Sequence, residues 1–422
     1  MHQLHIPKEI VLNSFYLTSI LFFILLISCS NNSSDESDQL DYQLKIKSEQ
    51  LASDFLIIDT HIDLPHRLEK EWEDISERTE KGHFDYPRSK AGGLDAAFLS
   101  IYVPAAYEGT DDGKDFADRL INIVENITAK DPDKFKIALS TQEVRNYFND
   151  GIISFPLGME NGSAINGQLK NVKYFYDRGI RYIGLAHSKS NHLGDSSYDE
   201  NIQWNGLSNF GEMVVREMNR LGIIVDVSHL SDSAFYDVIK VSSAPVIASH
   251  SSCRYFTEGW ERNMNDEMIL KLAEYGGLIM INFGSSFLDN DFRTGREEWK
   301  KQLKEWKEAN QLDDHDPRVK EFIKQSANEY KQKEVFVSQV VDHIDHVVNL
   351  VGIDYVGFGS DFDGVSDLPI GLEDVSKYPN IIFELLKRNY SDEEIERICS
   401  GNLLRVWSEV EEASRRIQLI ED

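Results

Sequence analysis

From Phe55 onward, short apolar runs alternate with longer stretches whose apolar positions recur at helical spacing. Eight runs stand out: Phe55–Asp59, Ala97–Tyr102, Ile152–Leu157, Tyr182–Ala186, Ile223–Val227, Pro245–Ala248, Leu278–Asn282 and Tyr355–Gly359. Most are nearly continuous in Ile, Val, Leu, Phe and Gly, which suits parallel strands covered on both faces. Between them, Asp115–Ile127, Leu169–Arg178, Asn209–Arg220 and Val335–Leu350 carry helical periodicity. Eight βα units in series predict an α/β chain folded as a (β/α)8 barrel of TIM type over residues 51–422. The rhythm breaks once. Ser285 to Lys333 is highly charged and helix-prone, which predicts a helical insertion between strands 7 and 8. In a barrel it emerges on the catalytic face or rim, either as a solvated helical pair or as a lid.

The chain ahead of the first run reads differently. Val11 to Ile27 is mostly apolar and ends at Leu26-Ile27-Ser28-Cys29, which resembles a bacterial lipobox. The resemblance implies a lipoprotein signal peptide over residues 1–28, cleavage before Cys29 and a lipid on its sulfur. The expectation is an exported lipoprotein anchored in the bacterial cell envelope, facing the periplasm or the surface. An uncleaved anchor is the alternative, although ~17 residues is near the short limit for a span. Residues 29–50 are polar and predict a flexible tether.

Charge narrows the partners. With 44 Lys and Arg against 72 Asp and Glu, the 422-residue chain carries a formal net charge of −28. Nucleic-acid binding rests on cationic patches, so no nucleic-acid partner is expected. The three cysteines, Cys29, Cys253 and Cys399, form neither a disulfide framework nor a CxxC knuckle. A transition metal in this chain must therefore be held by His and carboxylate.

Candidates for that role fall at the C-terminal ends of the predicted strands, the face where barrel active sites lie. His61 and Asp63 end the first, two apart and so on one side of extended chain. Glu160 follows the third; an acid just past an apolar strand is costly unless paired or metal-bound. His187, His229 and His250 end the fourth, fifth and sixth, and three histidines at successive strand ends argue against coincidence. Asp361 ends the eighth, where a carboxylate can shuttle a proton, with Asp363 as its rival. His343 and His346 are three apart on a predicted helix, and a structural role fits them better than a metal site.

These residues lie in motifs that resemble the membrane (renal) dipeptidase family of amidohydrolase-like metal barrels. The resemblance runs from about Phe55 to Val410. It is carried by Asp59-Thr60-His61-Ile62-Asp63-Leu64-Pro65, Gly158-Met159-Glu160-Asn161-Gly162, Val225-Asp226-Val227-Ser228-His229 and Pro245-Val246-Ile247-Ala248-Ser249-His250. Arg262-Asn263-Met264, Gly357-Phe358-Gly359-Ser360-Asp361-Phe362-Asp363-Gly364, Gly371 to Pro379 and Gly401 to Val406 continue it. The resemblance implies a zinc-dependent dipeptidase that cleaves dipeptides through a hydroxide bridging two Zn2+ ions per chain. His61 and Asp63 would hold the first ion, His229 and His250 the second, and Glu160 both. His187 would reach substrate and the developing oxyanion, Arg262 would pair with the substrate's terminal carboxylate, and Asp361 would move the proton. At the seventh strand end this chain has Gly284 where mammalian members carry Tyr. A binuclear-metal hydrolase of other amides, lactams or N-acyl amino acids is the alternative enzyme; a non-catalytic peptide-binding lipoprotein is the alternative of another class. A dipeptide is the expected partner, with a homodimer left open.

Overall fold

Ten strands form in the computed structural model, which describes residues 38–314, 316–329 and 333–421. They are β1 (Ile57–Ile62), β2 (Leu94–Tyr102), β3 (Phe135–Ile137), β4 (Ile153–Phe155), β5 (Leu157–Glu160), β6 (Ile180–Gly184), β7 (Ile224–Asp226), β8 (Ile247–Ala248), β9 (Leu278–Ile281) and β10 (Val356–Phe358). All pair in parallel. The order runs from β1 through β10, β9, β8, β7, β6 and β5 to β2, and β1 also pairs with β2, which closes a ring of eight. This is the expected (β/α)8 barrel.

The third expected run, Ile152–Leu157, falls across two strands. Pro156 separates them and has no N–H to give a ladder. The ring member is β5; β4 pairs with β2 below it and carries β3 on its outer edge. Strand alternation sorts the core. Ile58, Ala96, Phe98, Tyr182, Ile224, Ile247 and Met280 form one cluster with Leu403, Trp407 and Val410 of the C-terminal helix. Ile57, Ala97 and Leu99, of opposite parity, join the larger cluster packed against the outer helices.

The helical segments run Asp112–Lys130, Lys170–Asp177, Asn209–Leu221 and Val337–Val351, each overlapping its expected range. The tether expected over residues 29–50 needs correction from Asp38 on, where residues 38–54 form a helix. Leu44, Ser48, Leu51, Ala52 and Phe55 make a buried or half-buried stripe at i, i+4, i+7, i+8 and i+11, with Leu51, Ala52, Leu44 and Phe55 against the core. The surrounding polar residues masked that period. The expected signal peptide and Cys29 lie outside the described residues. No described helix is long and apolar enough to cross a membrane. Cys253 and Cys399 are both free and buried.

The insertion contains helices Ser285–Leu288, Asn290–Asn310 and Pro317–Glu329. The longer two pack through Trp306 on Phe322, ring centroids 4.3 Å apart, and Trp299 donates from Nε1 to Ser326 Oγ at 3.0 Å. Most of the pair is solvated, but Arg293, Arg296, Glu297 and Lys300 line a cavity beside the strand ends.

Candidate active site

Seven expected site residues sit just past or at the ends of barrel strands. His61 is within β1 and Asp63 follows it. Glu160 ends β5, and His187, His229, His250 and Asp361 follow β6, β7, β8 and β10. Glu160 is the point of convergence. Its Oε1 lies 3.0 Å from His229 Nε2, 3.3 Å from His250 Nε2 and 3.5 Å from His187 Nε2. Its Oε2 lies 3.6 Å from His61 Nε2, which is 3.5 Å from Asp63 Oδ2. His229 Nε2 and His250 Nε2 are 2.8 Å apart.

Three groups offer ligand atoms within 4.8 Å of one another: His61, Glu160 and His250; Glu160, His187 and His229; and His61, Asp63 and Asp361. His61 Nε2 and Asp63 Oδ1 are buried without a hydrogen-bond partner. Buried polar atoms are normally satisfied, and this unpaired imidazole nitrogen and carboxylate oxygen are what a divalent cation would satisfy. All-His-and-carboxylate donors suit a zinc-type ion. The donor set therefore fits a metal centre.

Neighbours orient the ligands. His61 Nδ1 is 2.8 Å from the Tyr182 hydroxyl. Gly158 makes room for that ring, since a Cβ there would lie 1.9 Å from Tyr182 Cζ. His250 Nδ1 is 2.7 Å from Ser249 Oγ, which donates to Asp226 Oδ2 at 2.7 Å. Asp59, under the cluster, accepts from the backbone N–H groups of His61 and Ser360 and from the Tyr378 hydroxyl. Partners of this kind fix ring orientation and tautomer.

Charge and burial set the protonation states. Burial pulls the His61 pKa down, but Tyr182, Glu160 and Asp63 outweigh it and hold the ring well above its usual value. Burial drives His229 and His250 well below theirs, with Arg262 also disfavouring their charge. Burial lowers His187 too, against the pull of Glu160. Burial would raise Glu160, yet His187, His61, His229 and His250 together keep it well below the carboxylate range. Asp361 goes the other way: burial pushes it up to about 8, with Asp63 and Glu160 adding and His61 opposing.

Asp361 accepts a hydrogen bond at Oδ2 from Asn282 Nδ2 at 2.8 Å. Its rival Asp363 is committed elsewhere: Oδ2 accepts from Arg67 Nε at 2.9 Å and Oδ1 from the His83 N–H at 2.6 Å. His229 and Asp361 have φ of 69° and 64°, an uncommon region for these residues and one that clusters at functional sites. Arg262 is buried beside the cluster. It donates to Ser251 Oγ and the His250 carbonyl, both at 2.8 Å, while its Nε has no partner.

The helical histidines stay outside. His343 Nδ1 accepts the Cys253 N–H at 3.0 Å, and its Nε2 lies 3.2 Å from the Leu288 carbonyl. His346 pairs with Asp266 at 2.8 Å. Sequence reading passed over Tyr182, Asp226, Ser249, Asn282 and Tyr198. Tyr182 and Asp226 sit in runs that read as core, Ser249 follows one directly, and only their neighbouring candidates mark them. Tyr198 lies 5.7 Å from the His229 ring, on the wall of the cavity that Gly284 also lines.

Known proteins resemble this chain in sequence and in fold. A dipeptidase of Aspergillus oryzae, aclJ, is 34% identical over 343 residues, 80% of this chain and 72% of that protein. The crystal structure of the probable dipeptidase PvdM from Pseudomonas aeruginosa shares the fold with a TM-score of 0.74 at 24% identity, covering 88% of this chain and 99% of that one. A Rhodobacter sphaeroides metallopeptidase, solved with a phosphinate mimic of L-Ala-D-Ala, aligns with a TM-score of 0.69 at 25% identity, over 84% and 99%. The family model for membrane dipeptidases, peptidase family M19, matches residues 46–421. The chain belongs to the membrane dipeptidase family and is a metallo-dipeptidase.

Proposed function

We propose that the chain hydrolyses dipeptides with two zinc ions, His61 and Asp63 holding one, His229 and His250 the other, and Glu160 both. The observation that carries this is the convergence of four imidazole nitrogens on one carboxylate, with buried ligand atoms left unpaired. Such ions, when bound, polarise a carbonyl and make water acidic enough to attack it near neutral pH. The protein groups supply the rest. Asp361, held by Asn282, is disposed by its burial to take a proton and then pass it to the leaving amine. His187, kept neutral by burial and less enclosed than the other three, donates to the oxygen that gains charge. Arg262 presents a planar fork to the terminal carboxylate and so selects short substrates.

The test is hydrolysis of L,L and L,D dipeptides by residues 30–422 loaded with zinc, alongside metal analysis. The ligand in the Rhodobacter enzyme supports including the L,D series. Cleavage that disappears on chelation and on amidation of the C-terminus, with two zinc ions per chain, is the expected result. A folded protein holding two ions and cleaving none of the panel would move the reading to other amides, lactams or N-acyl amino acids.

The N-terminal segment belongs to the same proposal: the enzyme is exported and anchored through a lipid on Cys29. The apolar run ending in Leu26-Ile27-Ser28-Cys29 supports it. Cys29→Ala should abolish incorporation of labelled fatty acid and release the enzyme from membranes; unchanged fractionation would count against the anchor.

A further inference from the structure

The cavity beside the metal ligands has a volume of about 370 Å³. Gly364 lines it, and a Cβ there would lie 2.2 Å from both Asp63 Oδ2 and Asp361 Oδ1, so this one residue joins the cavity to the catalytic cluster. One wall is Tyr198, Trp260 and Phe287. The other is the insertion helix, which presents Arg293, Arg296 and Lys300 at i, i+3 and i+7 on one face.

The charges on these walls do not cancel. Arg293 pairs with Glu297 at 2.9 Å, and Arg296 pairs with Asp367. Lys300, on the exposed rim, has no carboxylate within salt-bridge distance among the described residues. Three cations and two carboxylates thus line the cavity of a protein whose net charge is −28. Partial burial and the neighbouring Arg296 disfavour the charge on Lys300, and an anion beside it would relieve that. The surplus cation lies where a strongly acidic protein would otherwise repel an acidic substrate.

Phe287 links this wall to Arg262. The Arg262 guanidinium lies over the Phe287 ring, 5.0 Å from its centroid, and Phe287 also lines the cavity. A residue whose main-chain carboxylate met Arg262 would therefore sit one aromatic ring from the cavity. We propose that the insertion helix reads a second carboxylate, carried on the side chain of the dipeptide's C-terminal residue, and that the enzyme prefers dipeptides ending in Asp or Glu. This inference rests on the role assigned to Arg262 above.

The test compares Ala-Glu, Ala-Gln, Glu-Ala and Ala-Ala, with L and D C-terminal residues, as substrates of the zinc-loaded enzyme. The ratio of kcat/KM for Ala-Glu over Ala-Gln should be about tenfold, equal to about 1.4 kcal/mol. It should lie in KM and shrink as salt is raised. In Lys300→Gln the ratio should fall toward one, and in Lys300→Glu it should invert; Arg296→Gln serves as the second variant. A flat ratio in an enzyme that cleaves all four peptides overturns this inference alone. So does a preference for Glu-Ala, or a ratio unmoved in all three variants. Failure to cleave any of them with zinc fully bound removes the assigned site roles, and this inference with them.

Discussion

Two groups of histidines show what separates an imidazole committed to structure from one free to take a metal. His343 and His346 lie three apart in the helix Val337–Val351, a spacing that can place both on one ion. Yet His343 is filled by the Cys253 N–H and the Leu288 carbonyl, and His346 by Asp266. Burial pushes the His343 pKa down to about 3, so it stays neutral, a buried polar group fully spoken for by backbone. His61, His229 and His250 come from three different strands, yet their Nε2 atoms crowd one carboxylate. Their other ring nitrogens differ: those of His61 and His250 have hydroxyl partners, and that of His229 has none. Close sequence spacing offered a pair; topology delivered a cluster. The difference lies in what Nε2 faces: a lone backbone carbonyl or Asp266 in the helical pair, one buried carboxylate shared by all three rings at the strand ends.

The largest break in that comparison is Glu160→Ala. Without the shared carboxylate, bound metal measured by mass spectrometry should fall and turnover should drop to background; retention of both ions would remove Glu160 from the centre. Asp361→Asn should keep the metal and lower kcat by about 10²–10⁴-fold. Normal turnover there would transfer the proton role, though not readily to Asp363, which Arg67 and His83 already hold. Tyr182→Phe removes the hydroxyl that orients His61 and should weaken metal affinity about 10–100-fold in competition with a chelator. The smallest effect on chemistry belongs to His343→Ala. It should cost about 1–3 kcal/mol of stability in denaturant melts, because it leaves a buried N–H and a carbonyl unpaired, while metal content stays unchanged. Loss of metal in that variant would erase the distinction between the two groups.

Much of this was legible in the chain because barrel strands buried on both faces are nearly continuous in apolar residues, and six of the eight end abruptly in a polar candidate. Alternation was not needed to find them. What escaped notice did so for identifiable reasons. Pro156 split one apparent strand into a ring member and an outer piece, which periodicity cannot resolve. Leu44, Ser48 and Leu51 made a helix inside a segment whose average polarity suggested a tether. Tyr182 and Asp226 were hidden because a residue that supports a ligand from another strand depends on strand register, not on sequence spacing. The cationic face of the insertion had the correct helical spacing in the sequence, but only the fold turned it toward the site.

Asp59 ties the beginning of the barrel to its end: the N–H of Ser360, 301 residues away, and the hydroxyl of Tyr378, 319 away, both meet its carboxylate. The ring itself closes where β1 meets β10. These contacts span most of the chain, so the entropy of closing a very long loop is set against them. His61 and Asp361 flank the same seam. A chain ending before residue 356 would hold the four clustered histidines and Glu160 but neither Asp361 nor the strand that closes the ring around them.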